Sequence, residues 1–156
     1  MRVLDEDNRG VSLKEYQEKR DFVASPEPRG AVAETGLRRF VVQEHHATHL
    51  HYDFRLELDG VLKSWAVPKG PPEEPGIRRL AVQVEDHPVE YVDFQGEIPS
   101  GYGAGTVKIW DSGTFDLLHR EEGKLIFDLH GRRLQGRYNL VKTGQPKNWI
   151  LLKSKP

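Results

Sequence analysis

The 156-residue chain contains no cysteine, which removes disulfides, thiolate-bound zinc and cysteine nucleophiles together. No apolar run approaches the roughly 18 residues that a membrane span requires. The opening MRVLDEDNRG has no hydrophobic segment of the secretory type, so a cytoplasmic location is expected. A serine-hydrolase elbow of the form Gly-x-Ser-x-Gly is missing. The glycine-rich Gly101-Tyr102-Gly103-Ala104-Gly105 lacks the lysine of a phosphate-binding loop and opens no convincing helix. Excess charge of one sign is missing too: 23 Lys and Arg face 24 Asp and Glu, a net of −1. Taken whole, that balance speaks against nucleic acid as a partner. It hides a split, however, since residues 1–123 carry −8 and residues 124–156 carry +7. The basic strip (Lys124, Arg132, Arg133, Arg137, Lys142, Lys147, Lys153, Lys155) is able to track a phosphate backbone. It reads equally as a solvated strand face and tail.

What is present is a β pattern. Ser12 and Glu15 have the spacing of a capping box, and Leu13, Tyr16 and Gln17 continue a short helical spacing toward Phe22. Ser25-Pro26-Glu27-Pro28-Arg29-Gly30 disfavours helix. Ten alternating runs then read as strands: 38–43, 49–58, 61–67, 79–85, 89–94, 106–110, 114–118, 124–130, 134–141 and 148–153. Asp59-Gly60 and Ser112-Gly113 are hairpin signals. The expectation is a mainly β fold, a compact antiparallel barrel (or a sandwich) with a short N-terminal helix. It forms a single domain over 1–156 with residues 1–11 flexible. The Pro- and Gly-rich interruptions at 68–77 and 96–105 are placed to shape the rim of a site.

Four of the seven histidines fall within His45–His51. In a strand over 49–58, Leu50, Tyr52, Phe54, Leu56 and Leu58 share one face, and His49, His51, Asp53, Arg55 and Glu57 share the other. His51 and Asp53 reach a common point above the sheet, as two ligands of a divalent metal would. His45 or His46 is able to fold over as a third, and spacing alone does not choose between them. Imidazole with carboxylate suits Mn, Fe or Zn better than Ca or Mg. Arg55 is a candidate phosphate clamp, its alternative being an ion pair with Glu57 or Asp53. Glu85-Asp86-His87-Pro88 ends a strand, which would put His87 at a barrel mouth to bind a phosphate oxygen, protonate a leaving group or ligate metal. Tyr91 is able to donate a hydrogen bond to the same oxygen.

Three stretches carry a longer resemblance: FVVQEHHATHLHYDFRLELDGVLKSWAVPKG from Phe40, RLAVQVEDHPVEYVDF from Arg79, and IPSGYGAGTVKIWDSG from Ile98. Together with Lys19-Arg20-Asp21-Phe22, Pro26-Glu27-Pro28 and the final strands, they closely resemble the 3′-phosphoesterase domain of bacterial DNA ligase D. The resemblance implies a compact β-barrel and a manganese-dependent enzyme, with Co2+ or Zn2+ as possible substitutes. Such an enzyme trims DNA 3′ ends in non-homologous end joining, removing a terminal ribonucleoside as a phosphodiesterase and then the 3′ phosphate as a monoesterase. Carried over by motif, His45, His51 and Asp53 are the metal ligands, which selects His45 over His46. Arg55 and His87 engage the scissile phosphate with Tyr91 beside them. Asp21, Glu27, Gln43, Arg79 and Glu85 fall at positions tied to activity. Primer–template 3′ ends are the implied substrate, Ku and the ligase and polymerase of end joining the implied partners, a nucleoid-associated monomer the implied state. Departures from the family pattern are His46 in place of a small acidic residue, Glu44 in place of a basic one, and a loop after Ile98 one residue short.

Two other readings compete. An iron oxygenase would use His51, Asp53 and a later His87. A non-catalytic DNA-end-binding module would need only the basic strip.

Overall fold

The computed structural model describes residues 2–3 and 12–156. The flexible segment expected at 1–11 otherwise lies outside the described residues. A two-stranded ribbon joins β1 (Arg2–Val3) to β2 (Ala33–Glu34). The remaining strands are β3 (Arg39–His46), β4 (Leu50–Leu58), β5 (Val61–Val67), β6 (Arg78–His87), β7 (Gly96–Ile98), β8 (Gly105–Glu121), β9 (Lys124–His130), β10 (Gln135–Lys142) and β11 (Asn148–Lys153). They run antiparallel in the order β3-β4-β5-β6-β11-β10-β9-β8-β7, and a β3–β8 pairing closes eight of them into a barrel. Closure leaves the barrel itself without edges that would invite pairing with another chain.

Inside the barrel, alternate residues interdigitate. Phe40, Val42, Phe54, Leu56, Trp65, Val67, Phe127 and Tyr138 belong to one buried cluster. The Phe127 ring lies between Phe54 at 5.9 Å and Tyr138 at 6.4 Å, centroid to centroid. Burial of each such side chain contributes about 1.5–3 kcal/mol. What sets this barrel apart is a second cluster on the outer face of β3 and β5. There Val41 and Leu62 pack with Tyr16, Tyr91 and Val92. The cover has two parts, α1 (Lys14–Glu18) with the strap behind it, and a 3-10 turn at Val89–Asp93. The Tyr16 hydroxyl donates to the Pro28 carbonyl, and Gln17 Nε2 donates to the carbonyls of Arg29 and Gly30. From Asp53 onward β4 is therefore buried on both faces.

Several sequence expectations are corrected. Ser12 Oγ accepts from the Lys14 amide at 3.0 Å rather than from Glu15, so no capping box forms, and the helix stops at Glu18 well short of Phe22. The run 89–94 is not a strand. Pro88 carries no amide proton to extend the ladder, and the chain folds into the 3-10 turn. Nor is Ser112-Gly113 a hairpin: the two expected strands are one, β8, which leaves β3 and joins β9 at Thr114. A Cβ on Gly113 would lie 2.1 Å from the His130 carbonyl oxygen, so this glycine serves close backbone approach rather than a turn. The basic strip belongs largely to β9–β11 and their loops, and β10 lies four strands from β4 in either direction around the barrel.

Gly113→Ala is expected to destabilise the fold by about 1–3 kcal/mol through overpacking at this crossing, measured as a lowered urea midpoint.

Candidate active site

Register alone assembles the centre. Across β3 and β4, His45 pairs with His51, Gln43 with Asp53, and Val41 with Arg55. Since Val41 faces the outer cluster, the polar face of β4 points outward beneath the cover, not into a barrel mouth. Ligand atoms of His45, His51 and Asp53 all lie within 4.8 Å of one another. His45 Nδ1 is 3.5 Å from Asp53 Oδ2, and His51 Nε2 is 3.3 Å from Asp53 Oδ1.

The opposite ring nitrogens are spoken for. His45 Nε2 donates to the Gly103 carbonyl at 2.7 Å, and His51 Nδ1 to the His49 carbonyl at 3.3 Å. Such bonds orient the rings so that His45 Nδ1 and His51 Nε2 face Asp53, where a bound metal would replace the protons they share with the carboxylate. Gly103, at φ +77°, has the left-handed conformation that glycine adopts without strain as it presents that carbonyl.

Arg55 stands next to the triangle. Its Nε donates to Gln43 Oε1 at 2.7 Å, and Nη2 lies 3.5 Å from Asp53 Oδ2. Nη1 is buried with no hydrogen-bond partner among the described residues. An uncompensated buried guanidinium donor is costly, and an anion at this point would relieve it. Gln43 is fully buried and does two jobs, since its Nε2 donates to the carbonyls of Tyr91 (2.9 Å) and Phe94 (3.1 Å). Burial opposes ionisation of Asp53, but the Arg55 cation and hydrogen bonds from His45 and His51 outweigh it and hold the carboxyl well below its ordinary range. The bond to Asp53 in turn raises His51, against its own partial burial.

His87 arrives by a bulge. Ser64 pairs with Val84, and unbroken register would set Leu62 opposite Asp86, yet the shift sets it opposite His87. His87 Nδ1 donates to the Glu85 carbonyl at 2.9 Å, which leaves Nε2 to accept from Arg20 Nη2 at 3.3 Å. Burial, then the Arg55 and Arg20 cations, push its pKa well down, so the resting imidazole is neutral. A cavity of about 300 Å³ joins these groups, lined by His45, His51, Asp53, Arg55 and His87 together with Arg20, Glu85, Tyr91 and Tyr102.

The other expected residues divide. Glu85 lines the cavity and binds Arg20 at 3.1 Å. Glu27 lies behind it, accepting from Arg20 Nε (3.1 Å), Ser25 Oγ (2.8 Å) and the Tyr91 hydroxyl (2.9 Å). The Tyr91 hydroxyl thus serves Glu27 rather than an oxygen beside His87, while its ring lies 5.0 Å from the Arg55 guanidinium carbon. Asp21 is exposed, its carboxylate accepting the Val23 amide in the turn after α1. Arg79 falls on the other side of the sheet, in phase with Ala81 of the barrel interior. His46 and His49 are exposed, and His46 pairs with Glu44. Glu57 is taken by Arg39 at 2.6 Å, which excludes it as the partner of Arg55. His87 stands apart from the ligand triangle, and His45 completes the set instead, against the oxygenase reading. Arg20, which the resemblance sets beside Asp21, is the hub between Glu27, Glu85 and His87. Tyr102 at the rim is the contributor that the sequence reading misses, because it lies in a glycine-rich run that matches no phosphate-binding loop.

Two outcomes follow. Gln43→Ala strands Arg55 Nε and two carbonyls, at a cost of about 1–3 kcal/mol in urea unfolding. His87, depressed in the folded state, stays neutral while the unfolded chain takes a proton below about pH 6.5. Its contribution is therefore present above that value and lost as pH falls. The stability of the parent chain relative to His87→Asn should rise with pH up to about 6.5 in urea titrations.

The family model described as DNA Ligase D 3'-phosphoesterase domain matches residues 43–142. The multifunctional non-homologous end joining protein LigD of Pseudomonas aeruginosa is 54% identical over 92% of this chain and 18% of its own length. The corresponding DNA repair protein of Mycobacterium tuberculosis is 51% identical over 88% of the chain and 19% of its own. That of Mycolicibacterium smegmatis is 47% identical over 88% and 20%. The chain spans about a fifth of the length of these relatives. A covered barrel wall bearing the His-His-Asp triangle and a family match over most of the chain give one answer: the chain belongs to the DNA ligase D 3′-phosphoesterase domain family.

Proposed function

We propose that the chain acts as one metal-dependent phosphoesterase domain that heals DNA 3′ ends. It would remove a terminal ribonucleoside as a phosphodiesterase and then the 3′ phosphate as a monoesterase, leaving a 3′-OH. The observation that carries this reading is the buried, unpartnered Arg55 Nη1 beside three convergent metal ligands in one cavity. Such an arrangement fits a phosphoryl oxygen held between a cation and a fixed guanidinium.

The donor set fits a divalent transition metal: two imidazoles oriented by bonds to carbonyls, and one carboxylate kept ionised. Mn2+ is the ion the family implies, with Co2+ or Zn2+ able to occupy the same donors. A metal held by His45, His51 and Asp53 would polarise a phosphoryl oxygen or lower the pKa of a bound water. Arg55 then offsets charge developing on the phosphoryl oxygens, and Gln43 keeps its plane aimed. His87 rests neutral because it is buried among cations. A phosphate entering the cavity brings the negative charge that raises its proton affinity, so His87 is charged only when substrate is present and then assists the leaving oxygen.

The relatives named above join ends in DNA repair, and the proposed substrate is accordingly the primer–template 3′ end, with Ku and an end-joining ligase and polymerase as partners. A monomer in the cytoplasm, associated with the nucleoid, is part of the same reading. Among the described residues no helix is long and apolar enough to cross a membrane.

The decisive assay offers a labelled primer–template ending in one 3′ ribonucleotide and resolves 3′-phosphate from 3′-OH products. Chelation should stop both steps and Mn2+ should restore them. His51→Ala and Asp53→Ala should each lose at least about 100-fold in rate while still binding DNA by gel shift. Unchanged processing in both variants would overturn the metal site. Arg55→Lys should also lose about 100-fold, because an ammonium reproduces neither the bond to Gln43 nor the free Nη1.

A further inference from the structure

Beside the cavity lies a second depression, about 810 Å³, between α1 and β6. Tyr102 lines both, forming the neck between them. It is 48% exposed. Lys19 Nζ and the Arg20 guanidinium carbon lie 4.7 and 5.0 Å from its ring centroid. Two cations hold the ring while half of its surface stays open to the groove. An exposed aromatic steadied at the edge of a phosphate-sized site is a stacking platform for a base.

The charges around the groove decide which part of the substrate lies there. Lys14 pairs with Glu18 at 3.9 Å, Lys19 with Glu15 and Glu85 at 3.2 and 3.4 Å, and Lys63 with Asp86 at 3.0 Å. A track for a phosphate backbone leaves its lysines unmatched so that they release counterions. Here, among the described residues, three of the four groove lysines are matched by carboxylates from the groove itself, Lys147 being the exception, and its four lysines face four carboxylates, so a polyanion gains little. The terminal nucleoside of a 3′ end has no phosphate beyond the scissile one and is neutral. Its hydroxyls suit carboxylate acceptors, as ribose hydroxyls do elsewhere.

We propose that this groove receives the 3′-terminal nucleoside, with Tyr102 stacked on its base, and so acts as the specificity element of the diesterase step. The inference rests on the phosphoesterase reading for its place in the reaction. After the terminal nucleoside leaves, the 3′-phosphate end has nothing to place in the groove, so the two steps must differ in their dependence on Tyr102.

The test compares the parent chain, Tyr102→Phe and Tyr102→Ala. In Mn2+, kcat/KM is measured on a ribonucleotide-ended and on a 3′-phosphate-ended primer–template. Tyr102→Ala should lower the ratio of the first to the second by about 5- to 100-fold, the value of one base–aromatic stack, chiefly through KM. Tyr102→Phe should keep the ratio. An equal fall on both substrates, or none, overturns the proposal. A second readout needs no turnover: with metal withheld, the same primer carries 2-aminopurine riboside at its 3′ end, and its emission is read at saturating protein. The parent chain and Tyr102→Phe should quench it, and Tyr102→Ala should lose that quenching. Equal emission with parent and Tyr102→Ala overturns the platform whatever the rates. Quenching by a parent chain that cleaves neither substrate sinks the phosphoesterase reading and leaves the nucleoside groove standing.

Discussion

The hydrogen bond from Arg55 to Gln43 is the constraint on which the centre depends. It joins a cation that cannot lose its proton to a neutral amide, deep under a cover that excludes water. Among the described residues Gln43 is the only side chain that accepts a hydrogen bond from Arg55, and the Asp53 carboxylate 3.5 Å from Nη2 is shared with His45 and His51, so the guanidinium is oriented with part of its charge left for the cavity. The same amide donates to two carbonyls of the 3-10 segment, which fixes the cover to the wall. Shape of the site and stability of its lid are therefore set by one side chain. A carboxylate at position 43 would have bound the arginine more tightly, drained its charge and lost both donors.

The cover brings its own electrostatic logic. Glu27 gathers Arg20, Tyr91 and Ser25, while Glu85 gathers Arg20 and Lys19. Arg20 thus spends its positive charge on two carboxylates and still donates to His87. A buried network of this kind is tolerable only when every member is satisfied. That requirement accounts for acidic residues lying so near a centre meant for an anion: they hold cations, and the cations face the cavity.

Much of this was legible in the sequence where a period of two was unbroken. The polar stripe His51, Asp53, Arg55 follows from alternation alone, and antiparallel pairing supplies His45 and Gln43 across from it. Alternation could not say that the polar side would be buried, because the burial comes from α1 and the 3-10 segment, which are distant in sequence. For the same reason alternation reads 89–94 as a strand, whereas the chain there is a 3-10 turn whose Tyr91 hydroxyl donates to Glu27. Gly113 misled by chemistry rather than distance: a glycine needed for close approach looks the same in one dimension as a glycine needed for a turn. The charge split was real, yet the curvature of a closed sheet carried most of the basic strip to the far wall, a result no linear count contains.

The strap between α1 and β2 has a consequence for where this unit begins. Sequence similarity captured by the family model starts at residue 43, inside β3. A chain cut there would lose Arg20, Glu27 and the tyrosine that packs on His87 at 4.9 Å. Cut instead at the first residue of β3, it would keep the barrel strands and the ligand triangle, with the outer apolar cluster laid bare to water. The strands that make the domain recognisable and the segment that makes its centre competent are separate stretches of chain. In a longer protein, a linker preceding such a barrel therefore has to end no later than Leu13, whose side chain is already fully buried, well ahead of the first barrel strand.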